Sequence, residues 1–125
     1  MNTDLVNSLA LAYLGDSVYE LLIREYFIKQ GINKVNNLQS KVTNYVSAKA
    51  QAKFINYLIE NNILTNEEID VVKRGRNAKV FSHPKNTDIL TYKWATALEC
   101  LFGYLYIKEE KERIEELIRI ILEVK

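Results

Sequence analysis

The sequence predicts an all-α fold, and three observations predict it. Apolar residues recur at steps of three and four through most of the chain. No segment of alternating apolar and polar residues is long enough to make a strand. Stop and cap signals at Gln30-Gly31, Ser47, Asn61-Asn62 and Thr65 to Glu68 cut the periodic stretches into pieces of helix length. Composition sets the bounds. Hydrophobic residues are 48% of the 125, enough for residues 1–125 to bury a core as one domain. A net charge of +1 singles out no class of partner. The single cysteine, Cys100, excludes an intrachain disulfide framework and fits a reducing compartment. With one cysteine and one histidine there is no tetrahedral zinc set and no Cys–His nucleophile pair. Four separated glycines exclude a phosphate-cradling loop. No apolar run reaches the ~18 residues of a bilayer span, and the start Met1-Asn2-Thr3-Asp4 lacks the basic head of a signal peptide, so a cytoplasmic protein is expected.

The first helix is expected from Thr3 or Asp4 to Lys29, with Leu11, Leu14, Val18, Leu21, Leu22 and Phe27 as its apolar stripe and Gly31 as a left-handed stop. Two features interrupt the pattern. Gly15 sits in mid-helix, where it costs about 1 kcal/mol relative to Ala. Asp16 and Glu20 stack four residues apart, a repulsive spacing if both are charged. They read either as a site for a cation or for acid–base work, or as a solvated face with Glu20 paired to Arg24. A second helix is expected over Lys34–Val46. A third covers Ala48–Asn61, capped by Ser47, with Phe54, Ile55, Leu58 and Ile59 inward. Thr65 and Glu68 form a capping box that opens a fourth helix reaching Lys73 or beyond.

From Lys73 to Lys93 the composition changes. Lys73, Arg74, Arg76, Lys79, Lys85 and Lys93 stand against one acid, Asp88, with Asn77, His83 and the only proline, Pro84, between them. The stretch reads as a basic loop suited to phosphate contacts, or as a solvated loop. His83 reads as a loop hydrogen-bonder rather than a general base. A long helix from about Asp88 to Ile107 buries Leu98, Leu101, Phe102 and Leu105. It repeats the features of the first: Glu99 lies among apolar residues and Gly103 follows one turn later. A buried acid needs a partner, either a base such as Lys93 or a cation. Two helices that each carry a glycine beside an acid can cross closely and bring Asp16 to Glu99. A last amphipathic helix is expected over Glu110–Glu123, with Ile114, Leu117, Ile118, Ile121 and Leu122 inward.

These residues resemble a known family. Leu-Gly-Asp-Ser-Val-Tyr-Glu at 14–20 is similar to the signature helix of ribonuclease III, and Glu99 to Tyr106 to its second signature helix. Lys73 to Lys79 and Tyr45 to Gln51 resemble segments of the mini-ribonuclease III branch, a nuclease domain alone, so no separate duplex-RNA-binding domain is expected. The resemblance implies a ribonuclease III-like helical bundle, a homodimer, Mg²⁺ as cofactor, and hydrolysis of double-stranded RNA to 5′-phosphate and 3′-hydroxyl ends. It implies a role in maturing the large-subunit ribosomal RNA precursor. By position, Asp16 and Glu99 become the catalytic metal ligands. Glu20 and Thr96 become supporting positions, and Arg74, Arg76, Asn77, Lys79 and Lys85 become RNA contacts. Two acids usual in full ribonuclease III are replaced here by Ala12 and Thr96. Tyr13 and Tyr19 are open between a subunit interface and the core. Two other readings stand beside the nuclease: a dimer of this type that binds structured RNA without cutting it, and an unrelated helical interaction module.

Overall fold

The computed structural model describes residues 6–79 and 83–124. Among these residues there are six helices and no strand: α1 (Ser8–Lys29), α2 (Val35–Val46), α3 (Ala48–Glu60), α4 (Asn66–Asn77), α5 (Ile89–Ile107) and α6 (Lys111–Glu123). The caps are those the sequence marks. Gly31 adopts φ 95° and lets the Ile32 N–H return to the Phe27 carbonyl at 3.3 Å. The Thr65–Glu68 box is reciprocal, with both bonds formed, at 3.1 and 2.9 Å. The first helix begins later than expected. Its cap is Asn7, whose side chain accepts from the Leu9 N–H at 2.8 Å, while Thr3 and Asp4 lie outside the described residues.

The fold is wrapped around α5. From Ala95 to Leu105 every residue but Glu99 is buried, so this helix is apolar on all sides and belongs in the middle. The helices α1, α3, α4 and α6 pack on it, and one core cluster draws residues from all six helices. The closest approach is to α1, through the two mid-helix glycines. A Cβ placed on Gly15 would lie 1.6 Å from the Glu99 carbonyl oxygen, and one on Gly103 would lie 1.9 Å from that of Leu11. Backbone meets backbone there, and only glycine allows it.

This contact decides which side of α1 faces inward. The buried face is Leu11, Ala12, Gly15, Val18, Tyr19, Ile23 and Phe27. Leu21, expected inside, is 64% exposed, and Tyr19 is a core residue rather than an interface one. The Tyr19 hydroxyl donates to the Tyr45 carbonyl at 2.7 Å, and its ring packs tilted against Phe102 at 5.2 Å. The stretch after Lys73 is also corrected. Lys73, Arg74, Gly75, Arg76 and Asn77 are helical, not loop. Gly75 lies inside the helix at a close approach to α5, where a Cβ would come within 2.9 Å of the Cys100 Cβ. At the far end Arg113 of α6 grips the capping-box acid Glu68 at 2.8 and 2.9 Å and the Ile63 carbonyl at 2.7 Å. The guanidinium holds the Glu68 carboxyl below the usual range despite burial.

Candidate active site

The glycine crossing fixes the backbones of α1 and α5 in contact, and each glycine is neighbour to an acid. Asp16 follows Gly15 on α1. Glu99 is the residue whose carbonyl touches Gly15. Their side chains meet: the Glu99 carboxyl lies within hydrogen-bonding reach of Asp16 and feels its charge. Both effects favour the protonated form of Glu99. Burial is the main cause, Asp16 the next, and together with Glu20 they push its carboxyl up to about 8. The expected partner Lys93 does not neutralise it; the neighbour on the third side is Gln51 of α3. Two carboxyl groups from different helices thus share a partly buried place, and among the described residues neither is in an ion pair with a base.

The supporting positions divide. Glu20 is near enough to add its charge to the field at Glu99, but its own carboxylate is taken by Arg24. Thr96 is buried with its hydroxyl donating to the Tyr92 carbonyl of its own helix at 2.9 Å. Ala12 is buried on the α1 face that meets α5. The two positions without acids therefore contribute packing, not charge. Among the described residues no three Asp, Glu, His or Cys side chains form a metal-binding cluster. The donor set is two carboxylates and the amide of Gln51. That suits a hard cation such as Mg²⁺, which keeps several waters and needs only one or two carboxylates from the protein.

Basic residues gather where α4 ends beside the start of α1. A cleft of about 540 Å³ is lined by Lys73, Arg74, Asn77 and Lys79 together with Asn7 and Ser8. Leu9, also on the wall of this cleft, is seven positions before Asp16, roughly 10 Å along the helix. Arg76 does not line this cleft. Its guanidinium lies over the Trp94 ring, 5.0 Å from the centroid, and its Nε donates to Asn77 Oδ1 at 3.2 Å. Lys85 and His83 are exposed in the following turn, with the His83 ring 6.3 Å from that of Tyr92. Cys100 is buried, and burial pushes its thiol up to about 11, which makes it inert.

A family model, the Ribonuclease III domain, matches residues 9–110, a span that takes in both acids and both glycines. The chain belongs to the ribonuclease III family. It is an endoribonuclease of the mini-ribonuclease III type. The Mini-ribonuclease 3 of Enterococcus faecalis is 50% identical over 113 residues, covering 90% of this chain and 86% of that protein. That of Streptococcus pneumoniae is 42% identical over 94% of this chain and 92% of its own. The crystal structure of a Fusobacterium nucleatum protein superposes with a TM-score of 0.85 at 34% identity, covering 94% of each chain. The ribonuclease III-like helical fold expected from the two signature helices is therefore the fold of this chain.

Sequence reasoning missed Gln51 and the Glu68–Arg113 clasp. A signal existed for both. Gln51, Phe54, Ile55 and Leu58 are spaced as one apolar stripe, as are Glu68, Val71, Val72 and Gly75. In each a polar residue occupies a core position.

Proposed function

We propose that this endoribonuclease cuts double-stranded RNA as a homodimer, with a divalent cation, Mg²⁺, held by Asp16 and Glu99. The observation that carries the reading is the Asp16–Glu99 pair at the glycine crossing. Two acids in contact, neither in an ion pair with a base among the described residues, form a place that a cation completes. When bound, such an ion lowers the pKa of a water and neutralises charge on the phosphate under attack, giving 5′-phosphate and 3′-hydroxyl ends. The chain supplies the rest. The contact of Gly15 with Glu99 and of Gly103 with Leu11 sets the spacing of the carboxylates before any ligand arrives. Asp16 is exposed and Glu99 is recessed behind it, so phosphate approaches from the Asp16 side.

Arg74, Asn77 and Lys79 bind neighbouring phosphates through the cleft beside the start of α1, and Lys85 extends that surface. Arg76 braces it by stacking on Trp94. Contacts of this kind read the shape and 2′-hydroxyls of an A-form duplex more than its sequence. The large-subunit ribosomal RNA precursor is the natural substrate in this reading, and the cytoplasm its place; no described helix is long and apolar enough to cross a membrane.

The test is to incubate the protein with a duplex RNA in Mg²⁺ or in EDTA. Cutting of the duplex with Mg²⁺ alone, leaving 5′-phosphates, supports the reading. Cutting in EDTA overturns the metal assignment, and a salt-sensitive shift without cutting in Mg²⁺ overturns the nuclease assignment.

A further inference from the structure

Gln51 lies in the first turn of α3 and is only 2% exposed. Its Nε2 donates to the Val46 carbonyl at 3.0 Å, satisfying a free carbonyl at the end of α2 across the break at Ser47. That bond settles which way the amide faces, because the reverse orientation would set two acceptors against each other. Its Oε1 is left with nothing. Among the described residues it is the buried side-chain oxygen or nitrogen that has no hydrogen-bond partner. Such an atom needs an explanation. Its neighbour is Glu99: the Nε2 end of the amide lies within donor reach of that carboxyl, and the bare Oε1 is on the same small planar group. Three helices thus bring polar side chains to one place: Asp16 from α1, Glu99 from α5 and Gln51 from α3. A purely structural glutamine would use both ends of its amide.

We propose that Gln51 is a positioning residue of the metal site, its Oε1 accepting a hydrogen bond from a water carried by the divalent cation between Asp16 and Glu99. The inference rests on the reading of Asp16 and Glu99 as a cation site. A cation with few protein ligands keeps most of its waters, and something must orient them. The outer atoms that do so are held rigid, and Gln51 is fixed by its other end on Val46.

The test measures binding of Mn²⁺ alone to the RNA-free protein by calorimetry, beside thermal melting in EDTA. Gln51→Leu removes the oxygen at similar volume, and Gln51→Glu keeps an oxygen while losing the Nε2 donor. Gln51→Leu is expected to weaken Mn²⁺ binding roughly ten- to a hundredfold, with Gln51→Glu restoring it to wild-type strength or better. Should Gln51→Leu fail to fold, Gln51→Met carries the same measurement. Folded Leu or Met variants that bind Mn²⁺ within twofold of wild type overturn the proposal, and so does equal weakening in the Glu variant, which would mark a role confined to the Val46 bond. Asp16→Asn separates the two levels. If it weakens Mn²⁺ binding while the Gln51 variants do not, the Gln51 role alone falls; if it leaves binding unchanged, the acid-site reading falls with it.

Discussion

Glu99 sits where water stabilises its charge only poorly, so its protonation should follow whatever cation the site holds. Its carboxyl is raised from near 4.5 to about 8. A folded-state value above the unfolded one means that the folded protein holds the proton more tightly. The stabilisation is full below the unfolded value and is lost as pH rises to about 8. The melting temperature in EDTA should therefore fall between about pH 5 and pH 8, with on the order of a few kcal/mol at stake. Glu99→Gln should flatten that fall, and a wild-type profile already flat over this range would contradict the raised value. Metal binding opposes the same proton, so affinity for Mg²⁺ should climb with pH until about 8 and then level. Asp16 is exposed, and its loss should cost little stability. Asp16→Asn should abolish cleavage while the circular dichroism spectrum and the duplex gel shift in EDTA stay as in wild type. Cleavage near the wild-type rate in limiting Mg²⁺ would remove Asp16 from the chemistry.

The helices α1 and α5 act as one unit because of two missing side chains. Gly15→Ala or Gly103→Ala must separate backbones now in contact, at a cost of about 3 kcal/mol or more. Each should lower the melting temperature by well over 10 °C by the usual scaling for a domain of this size. A fall of only a degree or two would show that the two backbones are not in contact at the crossing. The crossing was legible in the sequence, where a glycine beside an acid recurs in two apolar helices; the role of the acids was not, since Asp16 and Glu20 read equally as a solvated face with Glu20 paired to Arg24. The inward face of α1 was not, because α1 carries apolar residues on two faces. Periodicity cannot say whether Leu21 or Ile23 meets the core until the glycine has chosen its partner. The end of α4 was misread for a related reason: Gly75 and clustered bases look like loop, yet Gly75 is where α4 comes closest to Cys100. That helix now separates the basic residues by role. Arg74→Ala with Lys79→Ala should weaken duplex binding and reduce the salt-dependence slope by about two units, one per lost contact, without altering the melting temperature. Arg76→Ala should instead lower the melting temperature, through the lost stacking on Trp94. An unchanged slope in the folded double variant would leave the cleft as ordinary surface.

A duplex has two strands, and each chain offers one pair of acids. Cutting both strands in one encounter needs two such sites facing one groove. A two-fold dimer supplies them, because its interface is isologous and the sites are related by the axis that also relates two antiparallel strands. The molecule carries a surface suited to this. Between α1, the end of α5 and α6, Leu14, Val18, Leu21 and Leu22 form an apolar groove of about 380 Å³ with Tyr106 and Ile114. Leu21 is 64% exposed, Tyr106 52%, and Tyr13, one turn before Asp16, 85%. Apolar residues gathered in this way are costly on a monomer, and tyrosine is favoured in interface cores. Tyr13 and Asp16 are three residues apart, so an interface along this part of α1 would hold the two acid sites in fixed relation. Light scattering at micromolar concentration should give about twice 14.5 kDa. Leu21→Glu, which sets two like charges near the axis, should shift the protein to monomer while its helical spectrum is kept, since Leu21 is not part of the core. In the monomer the products should change from paired, staggered cuts to single-strand nicks. A monomeric wild-type peak that still cuts both strands in one binding event would show that a single site serves each strand in turn, and the apolar face of α1 would then need another occupant.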